Sequence, residues 1–592
     1  MQRARVVSVQ VRSQLLVPAL RLRVLRLHLC SHRHSQAGRS QQQQQQCHSL
    51  AQGRRAAARA AAQQTAAIDD DTPRSVLFIS SVWPERSSSA AGVRTCDLLD
   101  AFRFSGWTAA YASSSTPNEH TAALQQAGVT TLECLPNREQ QLSDVVAATQ
   151  PTAVVFDRFY NEEAFSFRIR ELAPHALRIL DMQDMHSLRQ ARQAVLPGTP
   201  LDQVLACRPD ALAPDCLREL AAIHRSDLTL VCSPVELQLL TETYGVPASK
   251  LVLAPFFAPP SPHAPAAAAQ QAAAGNAAAT AHEATAAGQA GCPGFAERKH
   301  FLMIGNWRHP PNLDSARWAA TEIWPQLRAA LPEGQQDAEL HMYGSYASGA
   351  AQQLHRPKHG VHMKGFAPSL ELMLRYRVLL APLRAGAGLK GKVVDSWWHG
   401  LPVATTPVGA EGMAAADAEA YLAGVTAAAA AGRASAAAAE DGVIWQQGDG
   451  SSSSSSSSSG SSGKATPPGS QAPWGGLCGA ITAPDVAASA AMLYTDQQLW
   501  EACQQQGFQL LQLLYDRQRN LQRVLQAVAA ATRGLKQRRQ QDYVGNMLWQ
   551  QQARSTEYFS RWIELKERAA AAPVSAAAAA AAAAAGSSRQ QQ

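Results

Sequence analysis

The sequence predicts an α/β protein built from two doubly wound, Rossmann-like parallel-sheet domains that face a cleft. Three observations carry that expectation. Short apolar runs alternate with helical patterns in two separate stretches, which calls for parallel strands joined by right-handed crossovers. The runs are continuous rather than alternating, so the strands are covered on both faces. Low-complexity sequence separates the two stretches. The 592 residues are 46% hydrophobic but only 17% charged, against roughly 25% in an average soluble domain, and the deficit sits in alanine, glutamine and serine tracts.

The first stretch opens with SVLFISS (75–81), a short buried strand. The loop WPERSSSAAG follows, then a helix over 93–104 closed by Gly106. Further strands are expected at 108–114, 130–134, 152–157, 177–184 and 227–233. Helices fall between most of them, such as EEAFSFRIREL at 162–172. Ser233 before Pro234 reads as a helix start, with serine as cap and proline in the first turn. The second stretch begins with FLMIGNW (301–307) as a strand and a helix over 314–331 that Pro325 kinks or ends early. Strands at 338–345 and 361–366, a short helix at 369–376 and the doubly buried strand RVLLAPL (377–383) come next. A glycine-rich loop, a helix to Trp398, Gly400 as its cap and a strand at 403–406 complete the pattern. Helices over 496–516 and much of 517–541 are expected to pack on the second domain. Tyr558, Phe559, Trp562 and Ile563 have the spacing of a buried helical stripe.

The domain boundaries follow from composition: a basic segment at 1–72, a first domain at 73–257, a linker at 258–297, a second domain at 298–568 with an insert at 414–470, and a tail at 569–592. The basic segment, linker, insert and tail hold too little large apolar surface to offset the entropy of ordering, so disorder is expected there.

Charge is equally uneven. Residues 1–68 hold eleven arginines, no lysine and no acid, so the whole chain's +7 less this segment's +11 leaves about −4 elsewhere. A duplex-binding protein would spread basic residues over a folded face, and no nucleic-acid partner is expected. An Arg-rich, acid-free start containing serine and alanine reads as an organelle transit peptide, chloroplast or mitochondrial, with 11–29 drawable as a basic amphipathic helix. A disordered basic tail on a cytoplasmic protein is the alternative. No stretch of about 20 residues is apolar enough to span a bilayer, so only peripheral membrane contact stays open. The ten cysteines include no CxxC pair and no accompanying histidine cluster, which argues against a zinc site and against a disulfide framework.

The chemistry concentrates in RVLLAPLRAGAGLKGKVVDSWWHGLPVATTPVGAEGM, 377–413. A buried strand runs into a loop where Gly386 and Gly388 let backbone approach a ligand closely. A helix begins near Leu389, and its free N–H groups favour an anion. Lys390 and Lys392 add two cations there. Strand, glycine loop, helix start and lysines together read as a phosphate cradle; the plainer reading is a glycine-rich turn with surface lysines.

This stretch resembles the nucleotide-sugar site of the group-1 (family four) glycosyltransferases, whose fold is GT-B. VWPERSSSAAGVRT (82–95) looks like that family's first glycine loop, and GNWRHPPNLDSARWAATEIWP (305–325) like the opening of its second domain. LDMQDMHSLR (180–189) is similar to a D-x-x-D-x-H segment of its first domain. STEYFSRWIELKE (555–567) is similar to a closing helix that crosses back toward that domain. The resemblance spans roughly 74–257, 298–413 and 475–568.

It implies transfer of a sugar from a nucleotide-sugar donor to an acceptor that the sequence does not identify, with retention of configuration. No DxD-type pair sits at a strand end, although Asp69, Asp70 and Asp71 stand together near the first boundary, so no metal and no cofactor are expected. His186 is implied at the donor sugar or acceptor, with a structural histidine as the alternative; Asp181 and Asp184 would orient it or cap the next helix. Lys390, Lys392 and Arg308 are implied at the diphosphate, with Arg384 a further candidate. Gly92, Gly386, Gly388 and Gly409 are implied as close backbone approaches to the donor. Arg94 would reach a phosphate across the cleft, or else be a solvated arginine at a helix start. Asp395 matches the family's ribose-binding acid, with an i,i+3 salt bridge to Lys392 as its rival. The family's other acid position, eight residues earlier, is Ala387, and aligning the glycine loops instead puts it on Ala385. Glu411 is the substitute considered. That gap supports one rival, a non-catalytic sugar-nucleotide-binding protein. The other rival, a sugar-nucleotide epimerase, would need acid/base carboxylates near the anomeric region, and the gap speaks against it. The central expectation is a pyrophosphate resting on the turn from Gly386 to Lys392, and a turn covered by other polypeptide or facing away from the groove would count against it.

Overall fold

The computed structural model describes residues 74–86, 89–264, 292–347, 349–414 and 474–567. The expectations for 1–72, for the tail, and for most of the linker and insert lie outside these residues.

Two all-parallel sheets form two lobes. The first has seven strands, β1 (Ser75–Ser80), β2 (Thr108–Ser113), β3 (Thr130–Glu133), β4 (Ala153–Asp157), β5 (Leu177–Asp181), β6 (Leu228–Val231) and β7 (Leu251–Leu253), in the order β3-β2-β1-β4-β5-β6-β7. The second has six, β8 (Phe301–Ile304), β9 (Leu340–Tyr343), β10 (Val361–Gly365), β11 (Val378–Ala381), β12 (Val403–Thr405) and β13 (Gly476–Leu477), in the order β10-β9-β8-β11-β12-β13. Strand order reverses between β1 and β4 and between β8 and β11. Such switch points open a crevice at the carboxyl ends of the strands, where ligands bind in open α/β sheets. Side chains alternate between two buried layers: Val76 and Phe78 enter one apolar cluster while Leu77 and Ile79 enter another. Both faces of β1 are therefore covered, as its unbroken apolar run requires. The architecture is GT-B: two Rossmann-like lobes facing one another.

Several elements differ from the pattern expected. The helix α1 (Ala90–Phe104) starts three residues early because the Ser89 hydroxyl accepts the Gly92 N–H at 3.0 Å. Further along the first lobe lie α2 (His186–Val195), α3 (Pro214–Arg225) and the short α4 (Pro234–Gln238), where Ser233 makes no side-chain cap bond. In the second lobe α5 (Pro310–Trp318) begins before the expected start at 314, and a wide π turn, Ala319–Ile323, leads into α6 (Trp324–Ala330). The π turn absorbs the missing N–H and ring bulk of Pro325 without breaking the helical path. The stretch 369–376 forms a 3₁₀ segment, Leu370–Arg375, rather than an α-helix.

The carboxyl-terminal helices divide between the lobes. After α7 (Gly391–Trp398) and α8 (Ala483–Thr495), helix α9 (Gln497–Tyr515) packs on the second lobe through Phe508, Leu510 and Leu511. Helix α10 (Arg517–Arg533) instead sends Leu521, Val524 and Val528 into the core beneath β1 and β6. The chain crosses between lobes twice, and the crossings are bonded together: Ala258 N–H donates to the Tyr515 carbonyl at 2.8 Å and Arg517 N–H to the Ala258 carbonyl at 3.0 Å. The last helical stretch, ending at 567, does return to the first lobe, but its expected buried stripe is reversed. Tyr558, Phe559 and Trp562 are 63%, 62% and 52% exposed, while Ser560 and Glu564 face inward. Glu564 accepts from Arg168 at 2.8 Å and from the Glu139 N–H at 2.7 Å, so a buried ion pair rather than apolar packing seats this helix.

Candidate active site

The loops after β8 and β11 and the start of α7 form the second lobe's wall of the cleft. Facing them are the loops after β5 and β6 of the first lobe. Gly388, at φ +65°, sits so close to the opposite wall that an added Cβ would lie 2.9 Å from Asp184 Cβ. At Gly391 an added Cβ would meet Ala90 Cβ at 2.6 Å. The Gly386–Lys392 turn thus faces the groove, but the first lobe closes over it.

That closure has a chemical signature. Glu236, on α4, accepts the Gly388 N–H at 2.7 Å and the Met185 N–H at 2.9 Å through the same oxygen. A carboxylate oxygen occupies the spot where an anionic donor oxygen was expected, so in this arrangement the turn has no room for a diphosphate. Burial, then the charge of Asp184, pushes the Glu236 carboxyl up to about 8. Its second oxygen is buried without a hydrogen-bond partner. Arg192, fully buried on α2, joins the lobes as well. It donates to Glu411 in bidentate fashion at 2.6 and 2.7 Å and to the Gly386 carbonyl at 2.9 Å. Glu411 therefore sits in an interlobe ion pair. Ala387, at the position lacking the family's acid, packs its methyl into an apolar cluster of the first lobe, where a carboxylate would be buried without a partner.

The lysines lie inside the cleft wall rather than on its surface. Lys390 Nζ donates to the Gly388 carbonyl at 2.6 Å, and burial lowers its pKa. Lys392 Nζ donates to Asn312 Oδ1 at 2.8 Å and lies 3.3 Å from where a Cβ on Gly305 would stand. Burial, with help from Lys390, brings its ammonium down to about 8. Lys392 thus does not pair with Asp395. Among the described residues the Asp395 side chain has no hydrogen-bond or ion-pair partner, and burial pushes its carboxyl up to about 7.

Across the cleft, His186 opens α2. Its N–H and that of Ser187 are taken by Glu219 at 2.7 and 2.9 Å, so Glu219, not Asp181 or Asp184, caps this helix. Asp184 orients the ring instead, with Oδ1 3.2 Å from His186 Nε2 and Oδ2 accepting from Arg189 at 2.8 Å. Burial alone would raise the Asp184 carboxyl, but His186 and Arg189 outweigh it and hold it well below the usual range. His309, at the head of α5, is brought down to about 4 by burial and by the nearby Arg189, Lys392 and Lys390. Arg308 is exposed over the Tyr346 ring at 3.9 Å, and Tyr346 donates to Glu85 of the first lobe at 3.0 Å.

Four expected residues stand elsewhere. Arg94 is neither solvated nor aimed at a phosphate: it is buried, bonded to Asp181 at 2.9 Å and to the Pro255 carbonyl at 3.0 Å. Gly92 serves packing, since a Cβ there would fall 2.4 Å from the Glu85 carbonyl oxygen. Arg384 is held by Asp314 at 2.6 and 3.0 Å. Gly409 packs against Thr405, where a Cβ would overlap the hydroxyl. The sequence reading missed Arg192, Glu236, Arg189 and His309, whose roles depend on which lobe faces which.

Residues 298–441 match the family model described as glycosyl transferases group 1. The matched stretch lies in the second lobe and includes Lys390, Lys392, Asp395, Arg308 and His309. Solved structures similar to the chain include a glycosyltransferase from Rickettsia africae, at 9% identity and TM-score 0.48, covering 78% of this chain and 99% of that one. Anabaena HepE in complex with UDP and glucose aligns at 10% identity and TM-score 0.49, over 77% of this chain and 100% of its own. Sucrose-phosphate synthase from Thermosynechococcus elongatus aligns at 12% and 0.46, over 76% and 98%. No curated protein sequence matches the chain significantly. No helix among the described residues is long and apolar enough to cross a membrane.

Proposed function

We propose that the protein transfers a glycosyl group from a nucleoside-diphosphate sugar to an acceptor hydroxyl, with retention and without a catalytic metal. What supports this reading is the stretch that matches the group 1 glycosyltransferase model, which carries Lys392 and the start of α7 on the cleft wall with the unpaired carboxyl of Asp395 in the same helix. When the lobes part, Glu236 leaves the Gly388 N–H, and that amide, the first-turn amides of α7 and the two lysines become available to the diphosphate. Asp395 then accepts the ribose hydroxyls. The cations hold the negative charge that develops on the departing phosphate, an electrostatic contribution fixed in place before the reaction. The leaving phosphate takes the acceptor proton, and His186, held by Asp184, lies across the cleft to orient sugar or acceptor.

The test is donor hydrolysis and transfer over a panel of nucleotide sugars. Wild type should turn over at least one donor, and Lys390→Ala and Lys392→Ala should each lower kcat by roughly 10²-fold. The second reading, a sugar-nucleotide-binding protein without activity, is favoured by Ala387 in the apolar cluster and by the Arg192–Glu411 pair. It prevails if wild type and Lys390→Ala are equally silent while nucleotide still binds. An organellar location is proposed from the Arg-rich start alone, and sequencing the mature amino terminus decides it: cleavage within 1–72 supports import.

A further inference from the structure

A cluster that the transfer reaction does not use lies at the edge of the second sheet. Glu339 and His341 are two residues apart at the start of β9, so their side chains share one face. His362 on β10 is the register partner of His341 across the parallel pair, which puts its imidazole beside them. Glu339 Oε2 lies 2.7 Å from His341 Nε2, and Glu339 Oε1 lies 3.2 Å from His362 Nε2. His362 Nε2 is buried and makes no hydrogen bond. The three ligand atoms all fall within 4.8 Å of one another.

We propose that Glu339, His341 and His362 bind one zinc ion or a similar borderline divalent cation. Two imidazoles and one carboxylate are a zinc donor set; magnesium and calcium prefer oxygen throughout. Tetrahedral zinc with bonds of about 2.0–2.1 Å sets its ligand atoms about 3.3 Å apart, so ligand atoms that already lie within 4.8 Å of one another need only a small inward movement to reach it. His341 has the outer partner such ligands need: its Nδ1 lies 2.8 Å from the Tyr376 hydroxyl, which fixes the ring and leaves Nε2 to the cation. The Glu339 side chain is 36% exposed, so a fourth position opens to water. The positive charge of Lys364, two residues along β10 from His362, acts on His341 and opposes a bound cation. The cluster sits at the amino ends of the strands, whereas the cleft lies at their carboxyl ends. Its role is to pin β10, which lies at the edge of the sheet beside β9, and not to serve glycosyl transfer.

The full chain, stripped with chelator and dialysed, is titrated with zinc by calorimetry and with cobalt(II) by absorption. One equivalent should bind. The cobalt spectrum should show d–d bands of nitrogen and oxygen ligation without thiolate charge transfer, which separates this site from the cysteines. His362→Gln and Glu339→Gln should each weaken binding at least tenfold, and zinc should raise the melting temperature of wild type but not of either variant. Absence of binding to wild type, a thiolate spectrum, or unchanged affinity in a variant that folds overturns the proposal. If neither variant folds, wild-type stoichiometry and the cobalt spectrum decide.

Discussion

A carboxylate with no partner in a half-buried site is costly, because leaving water disfavours its charged form. Asp395 is such a group, raised by burial to about 7. The sign of its effect on stability follows. The folded state holds the proton more tightly than the unfolded chain, so the contribution is fully present below the unfolded value near 3.9 and is lost as pH rises through about 7. Asparagine mimics the protonated form. Asp395→Asn should therefore raise the melting temperature by a few degrees at pH 8 and leave it nearly unchanged at pH 4, measured by differential scanning fluorimetry. Equal shifts at both pH values would show that burial does not govern this carboxyl. The same substitution should weaken donor binding by roughly 10–100-fold, the range expected when a charged hydrogen-bond acceptor is removed.

At the scale of elements, burial rather than sequence position decides which lobe owns a helix. Helix α10 follows α9 with only Asp516 between them, yet its Leu521 is buried in the first lobe's core. Leu521→Ala removes a buried side chain there and should cost about 2–5 kcal/mol. Amide exchange in β1 should accelerate while exchange in β8 stays near wild type; the reverse pattern would assign α10 to the second lobe. This division explains which elements the sequence revealed. Apolar runs such as those of β1, β4 and β11 are long enough to show their burial. The three-residue β7 and two-residue β13 are too short to carry a pattern and become strands only through their neighbours. The stripe of Tyr558, Phe559 and Trp562 has correct helical spacing, but spacing says nothing about which face turns inward. The Arg168–Glu564 ion pair sets that orientation, and its partners lie 396 positions apart. The glycine loop, the lysines and Asp395 were legible because one continuous segment carries them. Arg192, Glu236 and the occupied turn were not, because they depend on contact between lobes.

For the whole molecule, the closed cleft is held by polar contacts, one of them made by a carboxyl whose pKa burial raises. The Glu236–Gly388 bond joins the lobes, with the Arg192–Glu411 and Tyr346–Glu85 contacts beside it. Glu236 has a raised pKa of about 8 when closed, and opening exposes it and returns it toward about 4.3. The closed form thus binds the extra proton. Closure is favoured most below the open-state value, weakens as pH climbs through the interval, and levels off once pH passes about 8. Small-angle scattering should show a larger radius of gyration at pH 9 than at pH 6, where the core fold is retained. Glu236→Gln, which keeps an oxygen for the Gly388 N–H but cannot ionise, should abolish most of that difference. A nucleoside diphosphate should compete with Glu236 for the Gly388 N–H and, because the closed turn has no room for it, hold wild type at the larger radius even at pH 6. A radius independent of pH in wild type, or a pH response unchanged in Glu236→Gln, would show that the lobes are locked by packing alone and that the carboxylate on the turn has no part in admitting the donor.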